Sequence, residues 1–288
     1  MANGGLQYQF ARLSIAEKLI AINVLVFVAE GLLGALMNIL VADWFQLPKD
    51  FFDFISQPWS IVTYSFFHAG FGHIFWNMLM LYFSGRIFLN LFGSQKFINV
   101  YFLGVILGGL VFLLSYNVFP TLLNSNTALI GASAGVTAVL IFVCTYIPNQ
   151  EVRIFFFNIK LWYVGLFFVL ADLILIPYGG NIGGRLAHLG GAFLGYIYAR
   201  QLLNGKDIGE GFTNFLEGIS NLFKPKTKKA PLKTVYKKSK MGSRTAVDYD
   251  KETRQRKIDA ILDKISKSGY ESLSKAEKDF LFKAGKED

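Results

Sequence analysis

Apolar residues dominate the first 205 positions of this 288-residue chain, in stretches separated by short polar segments. A helix needs roughly 20 mostly apolar residues to cross the hydrocarbon core of a membrane. The stretch from Phe97 to Gln150 has no charged residue and is long enough for two helices, divided by the polar run at 120–127. We therefore predict six membrane-spanning helices, at about 19–42, 73–91, 97–119, 131–147, 159–177 and 186–203.

The composition changes near residue 205. The chain is 53% hydrophobic and 17% charged with a mean hydropathy of +0.40, which is too apolar for an ordinary soluble domain. Of the 29 lysines and arginines, only 9 precede residue 206. The sequence therefore predicts an all-α, polytopic membrane domain at 1–205, a basic flexible linker at 206–250 and a small helical hairpin at 251–288.

Lysine and arginine predict the orientation, because these residues are retained on the cytoplasmic side of a membrane. With a cytoplasmic N-terminus, 27 of the 29 lie on the inner side, and only Lys49 and Arg185 lie outside. We expect an integral membrane protein with an uncleaved first span and both termini in the cytoplasm. The second, fourth and sixth helices then begin at the outer face, so their first residues share one depth.

The segment Gly131-Ala-Ser-Ala-Gly135 has the GxSxG pattern of nucleophilic serines. Glycine permits a sharp turn, and Ser133 stands where the fourth predicted helix begins. The unpaired N–H groups and partial positive charge of a helix N-terminus favour an oxyanion there. Small residues also serve packing alone in membrane helices, so the motif by itself is a weak signal.

His188 lies near the start of the sixth predicted helix. A histidine inside a membrane span is costly and is a functional candidate by default. Gly191 and Gly195 form a small-xxx-small stripe that lets this helix approach another closely. Packing against the fourth helix would bring a neutral imidazole to Ser133 as general base, whereas the alternative is a hydrogen bond between helices.

His73 and Asn77 are spaced i, i+4, so both side chains project from one face of the second predicted helix. Their N–H groups could form an oxyanion hole with the backbone N–H of Ser133. The alternative is polar packing between helices. We interpret His68, in the preceding loop, as structural, and we expect no metal site because neither HExxH nor paired carboxylates accompany the histidines.

Three short motifs, in this order on the second, fourth and sixth predicted helices, resemble those of the rhomboid family of intramembrane proteases: HxxxN (His73, Asn77), GxS (Gly131, Ser133) and AHxxG (Ala187, His188, Gly191). The resemblance covers about residues 15–203. It implies a six-helix rhomboid-like bundle and a Ser-His dyad without a third acidic member. It also implies an oxyanion hole formed by the serine N–H, His73 and Asn77, with no cofactor.

The resemblance further implies a serine endopeptidase that cleaves single-span membrane proteins near the outer face. It places the first outer loop, about 43–72, partly in the membrane and the fifth helix beside the substrate entrance. Ala134 and Thr137 stand where the family often has glycine and tyrosine. A catalytically silent rhomboid-like binder of transmembrane clients is the alternative function. A small transporter would instead need charges at mid-depth.

Two acidic residues, Glu30 and Asp172, lie inside predicted spans. A charge in lipid is costly unless it faces the bundle or is protonated. Asp172 suggests a Ser-His-Asp triad, but because the family manages without an acid, we expect structural hydrogen bonding for both residues.

The C-terminal region has two parts. Residues 224–244 contain nine lysines and arginines and no acid, which indicates a flexible linker suited to anionic lipid headgroups rather than to nucleic acid. Residues 251–285 regain amphipathic order, with a capping box at Ser274 and Glu277. This hairpin resembles C-terminal extensions of some bacterial rhomboids, so we expect a bacterial inner (plasma) membrane.

Overall fold

A computed structural model describes residues 5–38, 41–119, 127–154, 156–223 and 246–285. These residues form two units, one within 1–224 and the other within 225–288. The first unit contains α1 (Leu6–Arg12), α2 (Ile15–Met37), α3 (Phe51–Ser56), α4 (Ser60–Thr63), α5 (Phe71–Leu91), α6 (Ser94–Val118), α7 (Ser133–Tyr146), α8 (Leu161–Leu175), α9 (Ile182–Leu203) and α10 (Glu210–Phe223). The second contains α11 (Ala246–Ser268) and α12 (Lys275–Ala284).

Each of the six predicted spans coincides with one long helix: α2, α5, α6, α7, α8 or α9. Within the described part of the chain, three helical segments are long and apolar enough to cross a membrane: Ile15–Met37, Ser94–Val118 and Leu161–Tyr178. The last of these adds a short 3-10 turn to α8. The apolar α7 has only 14 residues. The mostly helical class and the membrane-spanning character are thus confirmed, whereas the count of six spans stays a prediction.

Two helices begin about four residues before their predicted starts, because polar residues cap them there. The Ser14 hydroxyl accepts the Glu17 N–H at 3.3 Å and the Glu17 carboxylate accepts the Ser14 N–H at 2.7 Å, which starts α2. The Asn181 side chain accepts the Gly184 N–H at 3.0 Å and starts α9. Asn38, in the left-handed conformation with φ of 54°, ends α2 before the predicted boundary.

The all-α prediction overlooked two short antiparallel strand pairs. β1 (Leu47–Pro48) pairs with β2 (Ala128–Leu129), and β3 (Glu151–Ile154) pairs with β4 (Phe157–Lys160). Val152 and Ile159, both β-branched, are partners in the second pair, where such residues fit a pleated surface. The first pair joins the long loop after α2 to the segment that leads into α7.

Helix α7 lies at the centre of the first unit, and ten of its 14 residues are buried. Its neighbours approach closely because they present glycines. A Cβ at Gly104 of α6 would overlap that of Ala138, and a Cβ at Gly191 of α9 would overlap the Ala134 carbonyl oxygen. The predicted small-residue contact between the fourth and sixth spans is therefore confirmed.

Helix α10 falls inside the segment predicted as a flexible linker, at 206–250. Asn99 of α6 donates to the Gly209 carbonyl at 3.1 Å and to the Thr213 hydroxyl at 2.8 Å. Asp207 accepts hydrogen bonds from the Tyr198 hydroxyl and the Gly209 N–H and pairs with the Lys96 ammonium at 3.0 Å. Burial by itself raises the pKa of Asp207, but these donors outweigh it and lower the pKa below its usual value.

In the second unit, the two predicted amphipathic helices are present. Gly269, with φ of 77°, ends α11, and its N–H bonds the Ile265 carbonyl at 2.8 Å. The predicted capping box starts α12, with the Ser274 hydroxyl accepting from the Glu277 N–H. Lys264 pairs with Glu277 at 3.0 Å across the two helices. The cytoplasmic location of this unit stays a prediction.

Adding one methyl group at Gly195 should destabilise the first unit. A Cβ there would overlap the Ala138 carbonyl oxygen and lie 3.0 Å from the Phe142 nitrogen. Overpacking of this kind costs about 1–3 kcal/mol, so thermal unfolding of Gly195→Ala in detergent should occur below the wild-type temperature.

Gly31→Ala in α2 is the matched control, since a Cβ there meets nothing within 4 Å. Alanine is the better helix former by about 1 kcal/mol, so this variant should unfold no earlier than wild type. Equal melting temperatures for the two variants would contradict the close packing of α9 on α7.

Candidate active site

Four helices enclose a cleft of about 240 Å³ that contains most of the candidate side chains. Asn77 of α5, Ser133 of α7 and His188 of α9 all line it. The remaining lining residues are Trp76, Met80, Val136, Thr137, Leu140, Phe168, Ala171 and Asp172. The convergence predicted for these three candidates is therefore observed, while their chemical roles stay predictions.

Ser133 is the first residue of α7, and the loop before it is held on two sides. The Gly131 N–H donates to the Tyr64 carbonyl at 3.0 Å, and the Ala132 N–H donates to Nε2 of His68 at 3.4 Å. At the first turn of a helix the backbone N–H groups have no intrahelical partner. The serine hydroxyl therefore lies beside donors that suit a developing negative charge.

His68 acts on this loop rather than in the cleft. Burial, with a smaller contribution from the neighbouring His73, lowers the pKa of His68 to about 4, so its ring is neutral near pH 7. A neutral ring can accept the Ala132 N–H through Nε2. The structural role predicted for His68 agrees with this contact, although sequence alone did not indicate that it supports the segment before Ser133.

His73 does not line the cleft but lies against Gly131 at its edge. A Cβ at Gly131 would be 2.7 Å from Nε2 of His73 and 3.7 Å from Oγ of Ser133. Nδ1 of His73 accepts the Ala69 N–H at 3.4 Å, so in a neutral ring Nε2 carries the hydrogen. The His73 ring therefore presents a donor close to the serine, as an oxyanion hole requires.

Asn77 is buried, and its amide nitrogen donates to the His73 carbonyl of its own helix at 2.8 Å. An amide NH₂ group has two hydrogens, so one donor remains after this bond. Asn77 lines the cleft, and that second hydrogen is its means of contacting a reacting group there. The bond within α5 also fixes the orientation of the side chain.

His188 is in contact with Asp172 of α8. Nδ1 of the imidazole lies 3.0 Å and 3.2 Å from the two carboxylate oxygens. Arg185, one turn earlier in α9, places Nη1 3.7 Å from the same carboxylate. The hydrogen bonding predicted for Asp172 is thus present, and its partner is the candidate base itself, the contact that the sequence suggested but that we did not expect.

Two family models match this chain. A family model described as Rhomboid domain matches residues 56–205, which is just over half of the chain. A second model, a family of unknown function called DUF6576, matches residues 246–284.

Curated relatives match between half and three fifths of this chain. RHOMBOID-like protein 12, mitochondrial, of Arabidopsis thaliana is 31% identical over 51% of this chain and 47% of its own length. Presenilin-associated rhomboid-like protein A, mitochondrial, of Danio rerio is 30% identical over 50% of this chain and 39% of its own. Rhomboid protein 1, mitochondrial, of Saccharomyces cerevisiae is 27% identical over 58% of this chain and 51% of its own. The chain thus spans about half or less of the length of these relatives.

Replacing Gly131 with alanine should lower the reactivity of Ser133, although Gly131 does not itself line the cleft. Gly131 has φ of 120°, and alanine there would be strained and would collide with the His73 ring. Strain of about 1–3 kcal/mol at this loop should slow labelling of Ser133 by a fluorophosphonate roughly 5- to 150-fold, if the strain raises the barrier by the same amount.

The control is Gly72→Ala, directly before His73, where a Cβ meets nothing within 4 Å. This variant should be labelled at close to the wild-type rate. If Gly131→Ala were labelled as fast as the control, the absence of a side chain at Gly131 would not be needed for the close approach of His73 to Ser133.

Proposed function

Because this chain belongs to the rhomboid family, we propose that it is an intramembrane serine endopeptidase, with Ser133 as nucleophile and His188 as general base. The observation that carries the proposal is the shared cleft, in which Ser133 at the start of α7 and His188 of α9 face the same space. A serine beside a helix N-terminus and an imidazole is the arrangement that acyl transfer uses.

In the proposed reaction, Oγ of Ser133 attacks the carbonyl carbon of the scissile peptide bond. Nε2 of His188 takes the hydroxyl proton as the new C–O bond forms. The tetrahedral intermediate then collapses, the C–N bond breaks, and the imidazolium gives its proton to the leaving amine. A water molecule, deprotonated by the same imidazole, hydrolyses the acyl-enzyme and restores Ser133.

The negative oxygen of the intermediate would be held by three donors. They are the Ser133 N–H at the start of α7, Nε2–H of His73 and the second amide hydrogen of Asn77. Support comes from the 2.7 Å approach that a Gly131 Cβ would make to Nε2 of His73, and from the position of Asn77 in the cleft. One such donor typically contributes about 10²–10³ in kcat.

We propose membrane-spanning proteins as substrates, entering between α5 and α8. Trp76 and Met80 of α5 line one side of the cleft, and Phe168 and Ala171 of α8 line the other. These apolar side chains suit a lipid-embedded segment better than a soluble peptide. We place cleavage near the outer membrane face, with both chain termini in the cytoplasm, on the distribution of lysine and arginine.

We propose a bacterial plasma membrane as the location, from the resemblance of the C-terminal extension alone, since the relatives named above are mitochondrial proteins. The basic residues at 224–244 lie outside the described residues, and from their sequence we propose that they contact anionic headgroups. Binding of transmembrane clients without cleavage is the second candidate function, because relatives named rhomboid-like share the family. Reactivity of Ser133 distinguishes the two functions.

Ser133→Ala and His188→Ala should each abolish cleavage of a single-span substrate by purified protein in detergent. The double variant should be no worse, because residues that act as one unit are strongly non-additive. Ser115→Ala in α6 is the control, since its hydroxyl bonds the Val111 carbonyl away from the cleft. Substantial cleavage by Ser133→Ala would contradict the assignment and favour the client-binding function.

Asn77→Ala should lower kcat by about 10²–10³ and change KM less, because an oxyanion donor acts mainly in the transition state. Asn23→Ala in α2 is a matched control: Asn23 is also buried and also donates to the carbonyl four residues earlier, at 2.9 Å. A fall in kcat of the same size in both variants, or an effect of Asn77→Ala mainly on KM, would indicate a structural or docking role.

A further inference from the structure

Asp172 is the single charged residue of α8, and its carboxylate faces the imidazole of α9. The exposed fractions of the Asp172 and His188 side chains are 14% and 22%. A carboxylate in an apolar helix is costly unless charges or hydrogen bonds compensate it. Both of its oxygens lie within 3.2 Å of Nδ1 of His188, so the imidazole is its principal partner among the described residues.

This contact decides which ring nitrogen carries the hydrogen. An ionised carboxylate accepts hydrogen bonds and does not donate them, so Nδ1 of His188 must be the donor. The neutral ring then has its lone pair on Nε2, the atom that a general base needs. When His188 takes the serine proton, the carboxylate also stabilises the imidazolium that forms.

Arg185 places a positive charge beside the carboxylate of Asp172. Its Nη1 lies 3.7 Å from Oδ1 of the carboxylate, on the same helix as His188. The groups facing His188 are thus Asp172 from α8, Arg185 from its own helix and His73 from α5, while α7 contributes the uncharged Ser133. Asp172 is the one acid among them.

We infer that Asp172 is the third member of a Ser133–His188–Asp172 triad, acting as a positioning residue that fixes the tautomer of His188. The inference rests on the proposed function for its kinetic consequence. The competing role is a structural clamp between α8 and α9, which would affect stability but not the protonation of the ring.

The kinetic test is Asp172→Asn. With its amide oxygen towards Arg185, the asparagine presents NH₂ to Nδ1, which forces the hydrogen onto Nε2 and disables the base. We expect kcat to fall about 10²–10⁴-fold, the contribution of a general base, with KM little changed. Asp172→Glu should restore part of the loss, because it returns an acceptor. Glu30→Gln, at the other acid that lies inside a predicted span, should cleave a substrate at the wild-type rate.

The second test observes the tautomer of His188 directly and does not depend on any measurement of substrate cleavage. The chain has only three histidines, so a ¹⁵N spectrum of histidine-labelled protein is simple, and the signals lost in His188→Gln identify that ring. Wild type should show Nδ1–H and an unprotonated Nε2 for His188, and Asp172→Asn should show the reverse. Melting temperatures of all variants separate loss of fold from loss of function.

Two outcomes would overturn the inference. One is an active wild type whose Asp172→Asn variant keeps a wild-type kcat, and the other is Nε2–H in wild-type His188. Either result would leave the proposed protease function intact. A wild type that cleaves no substrate and resists fluorophosphonate would contradict the proposed function instead, whatever tautomer the spectrum shows.

Discussion

The close contact of α7 with its neighbours is the constraint on which the rest of this structure depends. Gly104 of α6 and Gly191 and Gly195 of α9 leave no room for a Cβ, so backbones and small side chains touch directly. In a membrane, helices associate through such packing because lipid is as apolar as their side chains. The position of Ser133 relative to His188 follows from this contact, since the two residues belong to α7 and α9.

The chemistry of the cleft combines fixed backbone geometry with a few polar side chains. The start of α7 supplies donors, and Gly131 allows the His73 ring to approach the same loop. His68 and Tyr64, from the long segment between α2 and α5, hold that loop through two hydrogen bonds. Residues outside the cleft thus fix the backbone that precedes Ser133. A site that is fixed in this way needs little reorganisation during the reaction.

The lengths of the apolar stretches were sufficient to predict the six helices, and the topology was sufficient to predict that Asn77, Ser133 and His188 come together. The sequence did not settle which polar side chains pair between distant segments. The contact of Asp172 with His188 joins two helices, and α10 is fixed by Asn99, 110 positions before Gly209. The β3–β4 pair also escaped prediction, because ten residues between apolar stretches carry too little pattern to separate a hairpin from a loop.

The location of Asp172 on α8 has a consequence for the timing of the reaction. Helix α7 has ten buried residues, whereas only Leu161 and Gly165 are buried in α8, which is therefore the more weakly held wall of the cleft. Displacing α8 outward to admit a substrate would carry the carboxylate away while Ser133 and His188 stayed on α7 and α9. With α8 displaced, the imidazole of His188 would lack the carboxylate that contacts its Nδ1, so the position of this helix and the state of the base would be linked.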